Sequence, residues 1–329
     1  MRGPVYLAKE ISVDAISLQH IYSVYFAPRG RERLMSLGEQ LAHLHLSYKD
    51  RLIAIIGDSG SGKSLIIKGL FPGVALSNDD DVISMDKVMQ VRPMDLDHDF
   101  RTATYHIDMR FQMAFTQMFE IVDFVKGALE HGRRVIIEHF DLLYPFLKIN
   151  ADIIIGIGEE VVVTRPTLFG PLPKDIYNVV IPSLYKRRMA HSAEDLTAYA
   201  LHKIYDFPFR KFKNANSDIR GGFVLKFPEK LEVDLPKVEE CVKDLIAQNL
   251  DIGYYDEDHI QIGDHITIPC TGPRIHVRNT GDIENYRLWP EFVFDKSTGR
   301  HALVGMVTGQ DNDYDNFNQI NPEINSGVF

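Results

Sequence analysis

Leu52-Ile-Ala-Ile-Ile56 runs directly into Gly57-Asp-Ser-Gly-Ser-Gly-Lys-Ser64 and then into Leu65-Ile-Ile-Lys-Gly-Leu70. A short apolar run, a glycine-rich turn and a helically spaced apolar run read as strand, loop and helix. The middle stretch fits G-x-x-x-x-G-K-[ST] at every defined position, in the structural context that pattern demands. Its glycines let successive backbone N–H groups turn inward around phosphate oxygens, and the helix that follows adds its positive end. The Lys63 ammonium is then placed to neutralise terminal phosphates, and the Ser64 hydroxyl to hold Mg²⁺. Gly57, Asp58, Ser59, Gly60, Ser61, Gly62, Lys63 and Ser64 are therefore the candidate nucleotide-binding set, with ATP or GTP and Mg²⁺ as the implied ligands.

The flanking sequence gives this loop a setting. A helical segment around 110–130 leads through His131-Gly-Arg-Arg134 to Val135-Ile-Ile-Glu-His-Phe-Asp141, and Ala151–Gly158 and Glu160–Thr164 read as further strands. Alternation of this kind implies an α/β parallel sheet with helices on both faces. Ahead of it, 12–48 carry two apolar stripes at helical spacing, one from Ile16 to Tyr25 and one from Leu34 to Leu44, separated by Pro28-Arg-Gly. The Pro/Gly-rich stretch Arg165–Pro173 marks the expected boundary. The division expected is a helical segment 1–50, a nucleotide-binding domain 51–165 and an α+β module 166–329.

Phosphoryl transfer needs a carboxylate near the metal and a group that orients the nucleophile. Asp79, Asp80 and Asp81 follow Val74-Ala-Leu76 and are expected at the carboxyl end of a second strand, where ligands bind in open α/β sheets. A solvated acidic loop is the alternative. Glu138 and Asp141, on or just beyond the strand at 135–137, are the better candidates for reaching the metal's water shell. The loop Gly57–Ser64 with the acidic run Asp79-Asp80-Asp81 resembles the uridine kinase and phosphoribulokinase group of P-loop proteins over residues 51–165. That resemblance implies a small-molecule kinase whose acceptor is not readable from residue types.

In the second half, His191 opens a helical stretch and Cys270 and His276 lie six positions apart far downstream, a donor set suited to Zn²⁺. Three stretches resemble the second additional domain shared by alanyl- and threonyl-tRNA synthetases and freestanding alanyl-tRNA editing proteins. They are Lys186–Leu196, Leu235–Leu250 and Cys270–Ile283, the last containing His276-Val-Arg-Asn-Thr-Gly-Asp-Ile. The resemblance implies a zinc site serving hydrolysis of misacylated tRNA. Here Asp195 stands where the family's helix carries its second histidine, and the Cys270–His276 loop is two residues longer. Asp195 lies one turn from His191 on the same helical face, so the candidate ligands are His191, Asp195, Cys270 and His276, with water as the alternative to Asp195. The expectation is a repurposed metal site or a vestigial fold that holds no metal, rather than an intact editing site. Lys186-Arg187-Arg188 and Arg210-Lys211-Phe-Lys213 are candidate contacts to an RNA backbone, or simply a charged face.

Composition narrows the function classes. A chain of 329 residues with 45% hydrophobic and 25% charged residues has ample apolar area for packed cores, and a net charge of −10 argues against a broad nucleic-acid-binding face. No run of residues is long and apolar enough for a membrane span, and Cys241 and Cys270 are too few for a disulfide framework. The expectation is a soluble cytoplasmic protein with no membrane partner. Two main readings follow: an ATP- or GTP-dependent phosphotransferase, or a nucleotide-gated aminoacyl-tRNA hydrolase. A nucleotide-switched RNA-binding protein is the third.

Overall fold

The computed structural model describes residues 22–74, 76, 78–79, 82–83, 100, 102–211, 216–219, 221–270, 272, 275–296 and 298–307. The chain is mixed α/β. Its first part contains strands β1 (Ser23–Phe26), β2 (Leu52–Gly57), β3 (Asn78–Asp79), β4 (Val82–Ile83), β5 (Thr104–Asp108), β6 (Arg134–Glu138), β7 (Ile153–Ile157) and β8 (Glu160–Thr164). The helices there are α1 (Arg31–His45), α2 (Lys63–Leu70), α3 (Met109–Gln112), α4 (Met118–Glu130) and α5 (Phe140–Leu147). Six strands form one sheet in the order β1-β8-β7-β2-β6-β5.

Four consecutive strands, β7, β2, β6 and the edge strand β5, are parallel, as the alternating pattern implies. The sheet is nonetheless mixed, because β8 runs antiparallel to β7 and β1 antiparallel to β8. The cause is local: only Gly158 and Glu159 separate β7 from β8, and a parallel crossover needs a dozen residues or more. The N-terminal expectation also changes. Val24 and Tyr25, placed by spacing in a helix, belong to the edge strand β1, while the rest of that apolar stripe, up to Ile21, lies outside the described residues. The second stripe is a helix, α1, with Leu34, Leu37 and Leu41 buried.

Alternate residues of the central strands serve opposite faces. Leu52, Ala54 and Ile56 of β2 meet Ile121, Phe124 and Val125 of α4 and Phe140 and Leu143 of α5. Ile53 and Ile55 meet Leu34, Leu37 and Leu41 of α1 and Ile66, Ile67 and Leu70 of α2. Helices thus cover both faces, and β2 delivers the loop after Gly57 between them.

The second part begins with the long helix α6 (Pro173–Tyr205), closed at its start by the Asp175 carboxylate accepting from the Leu172 N–H at 2.8 Å. Ile176 and Val180 pack into the first core, whereas Met189, Ala193, Leu196 and Leu201 pack into a second one. The helix therefore belongs to both cores. Gly156 of β7 permits its approach, since a Cβ there would lie 2.5 Å from the Ile176 side chain. Beyond α6 come β9 (Asn216–Ile219), β10 (Gly222–Phe227), helix α7 (Leu235–Ala247), β11 (Ile252–Asp256), β12 (His259–Ile262), β13 (Ile266–Pro269), β14 (Arg287–Leu288), β15 (Val293–Asp295) and β16 (Arg300–Met306). They make two antiparallel sheets, β14-β16-β10-β9 with β15 beside β16, and β11-β12-β13. Among the described residues no helix is long and apolar enough to cross a membrane.

The loop's helix is seated by glycine. Where α1 crosses α2, a Cβ on Gly69 would run into the Met35 carbonyl oxygen and lie 2.9 Å from the Gly38 Cα. Gly→Ala inside an exposed helix ordinarily stabilises it by about 0.5–1 kcal/mol. Here overpacking sets the sign: Gly69→Ala should lower the unfolding free energy by about 1–3 kcal/mol in chemical denaturation. A variant as stable as the wild type would show that the two backbones are not in contact.

Candidate functional site

The loop between β2 and α2 turns through left-handed backbone at Gly60 (φ 77°) and Gly62 (φ 96°), conformations that other residues adopt only under strain. Gly57 has no room for a side chain, because a Cβ would meet the Ser61 Oγ at 2.7 Å and the Ile157 carbonyl at 3.0 Å. Lys63 opens α2 and folds back over the loop, its Nζ donating to the Asp58 carbonyl at 3.0 Å. Ser64 is the next helical residue. The Ser61 Oγ is buried and has no protein partner.

Register explains what faces this loop. Ile55 of β2 lies beside Glu138 of β6, and Glu138 beside Asp108 of β5, so both carboxylates end their strands next to the glycine turn. Glu138 is buried. One oxygen is 3.6 Å from Lys63 Nζ, and the other is 3.1 Å from His106 Nε2. Burial pushes its carboxyl up, but the His106 hydrogen bond and the His106 and Lys63 charges outweigh it and hold the group below the usual range. Asp108 behaves oppositely. Burial, together with the Glu138 charge, holds its carboxyl above the usual range even though its oxygen caps α3 by accepting from the Phe111 N–H at 3.2 Å. His139 follows in a left-handed conformation (φ 56°), and burial beside Lys63 and Arg110 lowers its imidazole to about 4. Donor atoms of Asp108, Glu138 and His139 lie within 4.8 Å of one another.

Of the acids singled out by sequence, Glu138 stands against Lys63. Asp141 sits in the first turn of α5 with a buried Oδ1 that has no partner, and burial pushes its carboxyl up. Asp79 does not end a strand of the large sheet. It belongs to the separate hairpin β3-β4, while Asp80 and Asp81 lie outside the described residues. The strand next along the sheet is β5, and its terminal acid is Asp108. Sequence reasoning missed Asp108, His106 and His139. The available signal was the i, i+2 spacing of His106 and Asp108, which puts both on one strand face.

The second half brings its four candidates together. His191 Nε2 is 3.1 Å from Cys270 Sγ and 3.8 Å from Asp195 Oδ2, and His276 Nε2 is 2.9 Å from Asp195 Oδ2 and 3.7 Å from Cys270 Sγ. Bonds of about 2.0–2.3 Å around a tetrahedral zinc put ligand atoms roughly 3.3–3.7 Å apart, so this donor set fits such an ion. The Gly272 N–H donates to Cys270 Sγ at 3.3 Å, and His191, fully enclosed, is held in its neutral form by burial and by the nearby His276. Burial, with Asp195 close by, pushes the Cys270 thiol far up.

Between the two clusters runs a single turn of α6. Arg187 is buried, and its Nη1 donates to the carbonyls of Ser61 at 3.2 Å and Gly158 at 3.4 Å while Nη2 donates to Pro28 at 3.2 Å. Arg188 donates to the Ser59 carbonyl at 3.0 Å. Arg187, a candidate RNA contact or part of a charged face by sequence, is instead consumed inside the protein. Arg210 is exposed, and Lys213 lies outside the described residues. No protein-family model matches this chain, and no curated protein matches it.

Arg187 generates a direct test. Arg187→Met keeps most of the volume and strips three carbonyls, two of them buried, of charged donors, each such bond being worth about 1.5–3 kcal/mol. Unfolding free energy should fall by about 2–5 kcal/mol in urea titration. A loss below about 1 kcal/mol would mean that the guanidinium does not brace the loop.

Proposed function

We propose that the chain is a P-loop phosphotransferase that uses a Mg²⁺-bound nucleoside triphosphate, ATP or GTP, to phosphorylate a small-molecule hydroxyl. One observation carries the reading: the glycine turn, Lys63, Glu138 and Asp108 meet at the carboxyl ends of three adjacent parallel strands. The likeness to the uridine kinase group supports it, as does the central place of β2 in the parallel part of the sheet. The loop N–H groups and Lys63 bind the phosphates, and Glu138 holds Lys63 against them. Ser64 supplies the hydroxyl that would hold Mg²⁺, whose charge offsets that of the transferring group. Asp108, with its raised proton affinity, accepts the proton of the attacking hydroxyl.

His191, Asp195, Cys270 and His276 are proposed as zinc ligands. Their convergence favours a second reading of the module, a metal-dependent hydrolase of aminoacyl-tRNA of the alanyl-tRNA editing kind. The engagement of Arg187 within the protein and the net charge of −10 weigh against RNA as the main partner.

Lys63→Ala should weaken triphosphate binding by about tenfold or more in a titration with a labelled nucleotide. Asp108→Asn should keep that affinity while cutting turnover by about 10²–10⁴-fold, and Glu138→Gln should slow turnover with binding largely intact. Wild-type affinity in Lys63→Ala, or wild-type turnover in Asp108→Asn, would remove the corresponding role. For the second cluster, elemental analysis of protein purified without chelator should give about one zinc per chain, lost in Cys270→Ser. Absence of zinc from both proteins after supplementation would end the metal reading.

A further inference from the structure

Three cationic side chains converge on Asp58, the only acid in the loop. Lys63 donates to its carbonyl, Arg110 Nη1 reaches its Oδ1 at 2.9 Å and Arg188 Nη2 its Oδ2 at 3.5 Å. The two arginines come from different parts of the chain, Arg110 from α3 just beyond Asp108 and Arg188 from α6. Both are partly exposed, at 48% and 28%, and Asp58 at 32%, so these ion pairs are open to solvent and weakly held. Arg188 Nε is in addition buried with no hydrogen-bond partner.

From this arrangement we propose that Arg110 and Arg188 grip the terminal phosphate of the bound triphosphate, and that Asp58 holds them in place until it arrives. The proposal rests on the phosphotransferase reading of the loop. A phosphate oxygen set matches the planar guanidinium fork as well as a carboxylate does and carries more charge, so it competes for the same donors. Arg188 then gives the C-terminal half of the chain a direct part in the triphosphate site. The two guanidinia also provide the cations that spread the charge of a transferring phosphoryl group.

The test compares triphosphate and diphosphate affinity in the full-length protein, using Mg-ATP with Mg-ADP and Mg-GTP with Mg-GDP in calorimetric titrations. Arg110→Gln and Arg188→Gln should each weaken triphosphate binding about tenfold while diphosphate binding moves less than threefold. A fall of less than threefold in the triphosphate-to-diphosphate affinity ratio, in either variant, overturns the proposal. Lys63→Ala separates the two levels of the argument. If it leaves both affinities unchanged, the loop is not a phosphate site at all; if it weakens both while the arginine variants do not discriminate, only the arginine assignment falls. Should Arg188→Gln fail to fold, Arg188→Lys, which keeps the charge but not the fork, takes its place under the same criterion.

Discussion

A buried guanidinium shared by three carbonyls ties this molecule together around its glycine turn. Arg187 collects Pro28 from the segment before α1, Ser61 from the glycine turn and Gly158 from the end of β7. A charge in that position is costly to bury unless its donors are used, and these contacts use it on backbone that a glycine-rich turn would otherwise leave weakly braced. The same helix is pinned nearby by the Arg29–Glu194 ion pair, which is almost wholly buried. The loop is thus shaped by its own glycines and also by an element that begins more than a hundred residues later.

This dependence gives the two clusters a common frame. His191 follows Arg187 by one helical turn, and Asp195 follows His191 by another, so the brace of the loop and two of the four donors of the second cluster share a continuous stretch of α6. A displacement of that helix would move both. On the proposed reading the second half of the chain is part of the phosphate site, in addition to any chemistry of its own.

What could be read in the sequence follows the range of the interactions. The turn at 57–64 was legible because its chemistry lies in eight consecutive residues, and His191 with Asp195 because helical periodicity is local. That Cys270 and His276 could join His191 was suggested by their zinc-binding donor types, and a family resemblance strengthened it. Asp108 and His106 were hidden because their importance depends on β5 pairing with β6, a contact set by tertiary register. Val24 and Tyr25 show helical spacing, yet the open edge of β8 claims them as a strand. The helix α6 was the least legible. Opposite ends of it are buried against different cores, so its polar and apolar residues never form one stripe, and Arg187 reads as surface charge until the carbonyls around it are seen.

The central claim is that the loop at 57–64 receives phosphate and that α6 is mechanically part of it. Hydrogen–deuterium exchange on the intact protein, with and without saturating Mg-ATP or Mg-GTP, tests both halves together. The account predicts slowed exchange at the amides of 59–64 and, in the same titration, at 187–195 of α6. Unchanged exchange at 59–64 with either nucleotide would contradict the phosphate site, and protection confined to 59–64 would contradict the coupling to the helix.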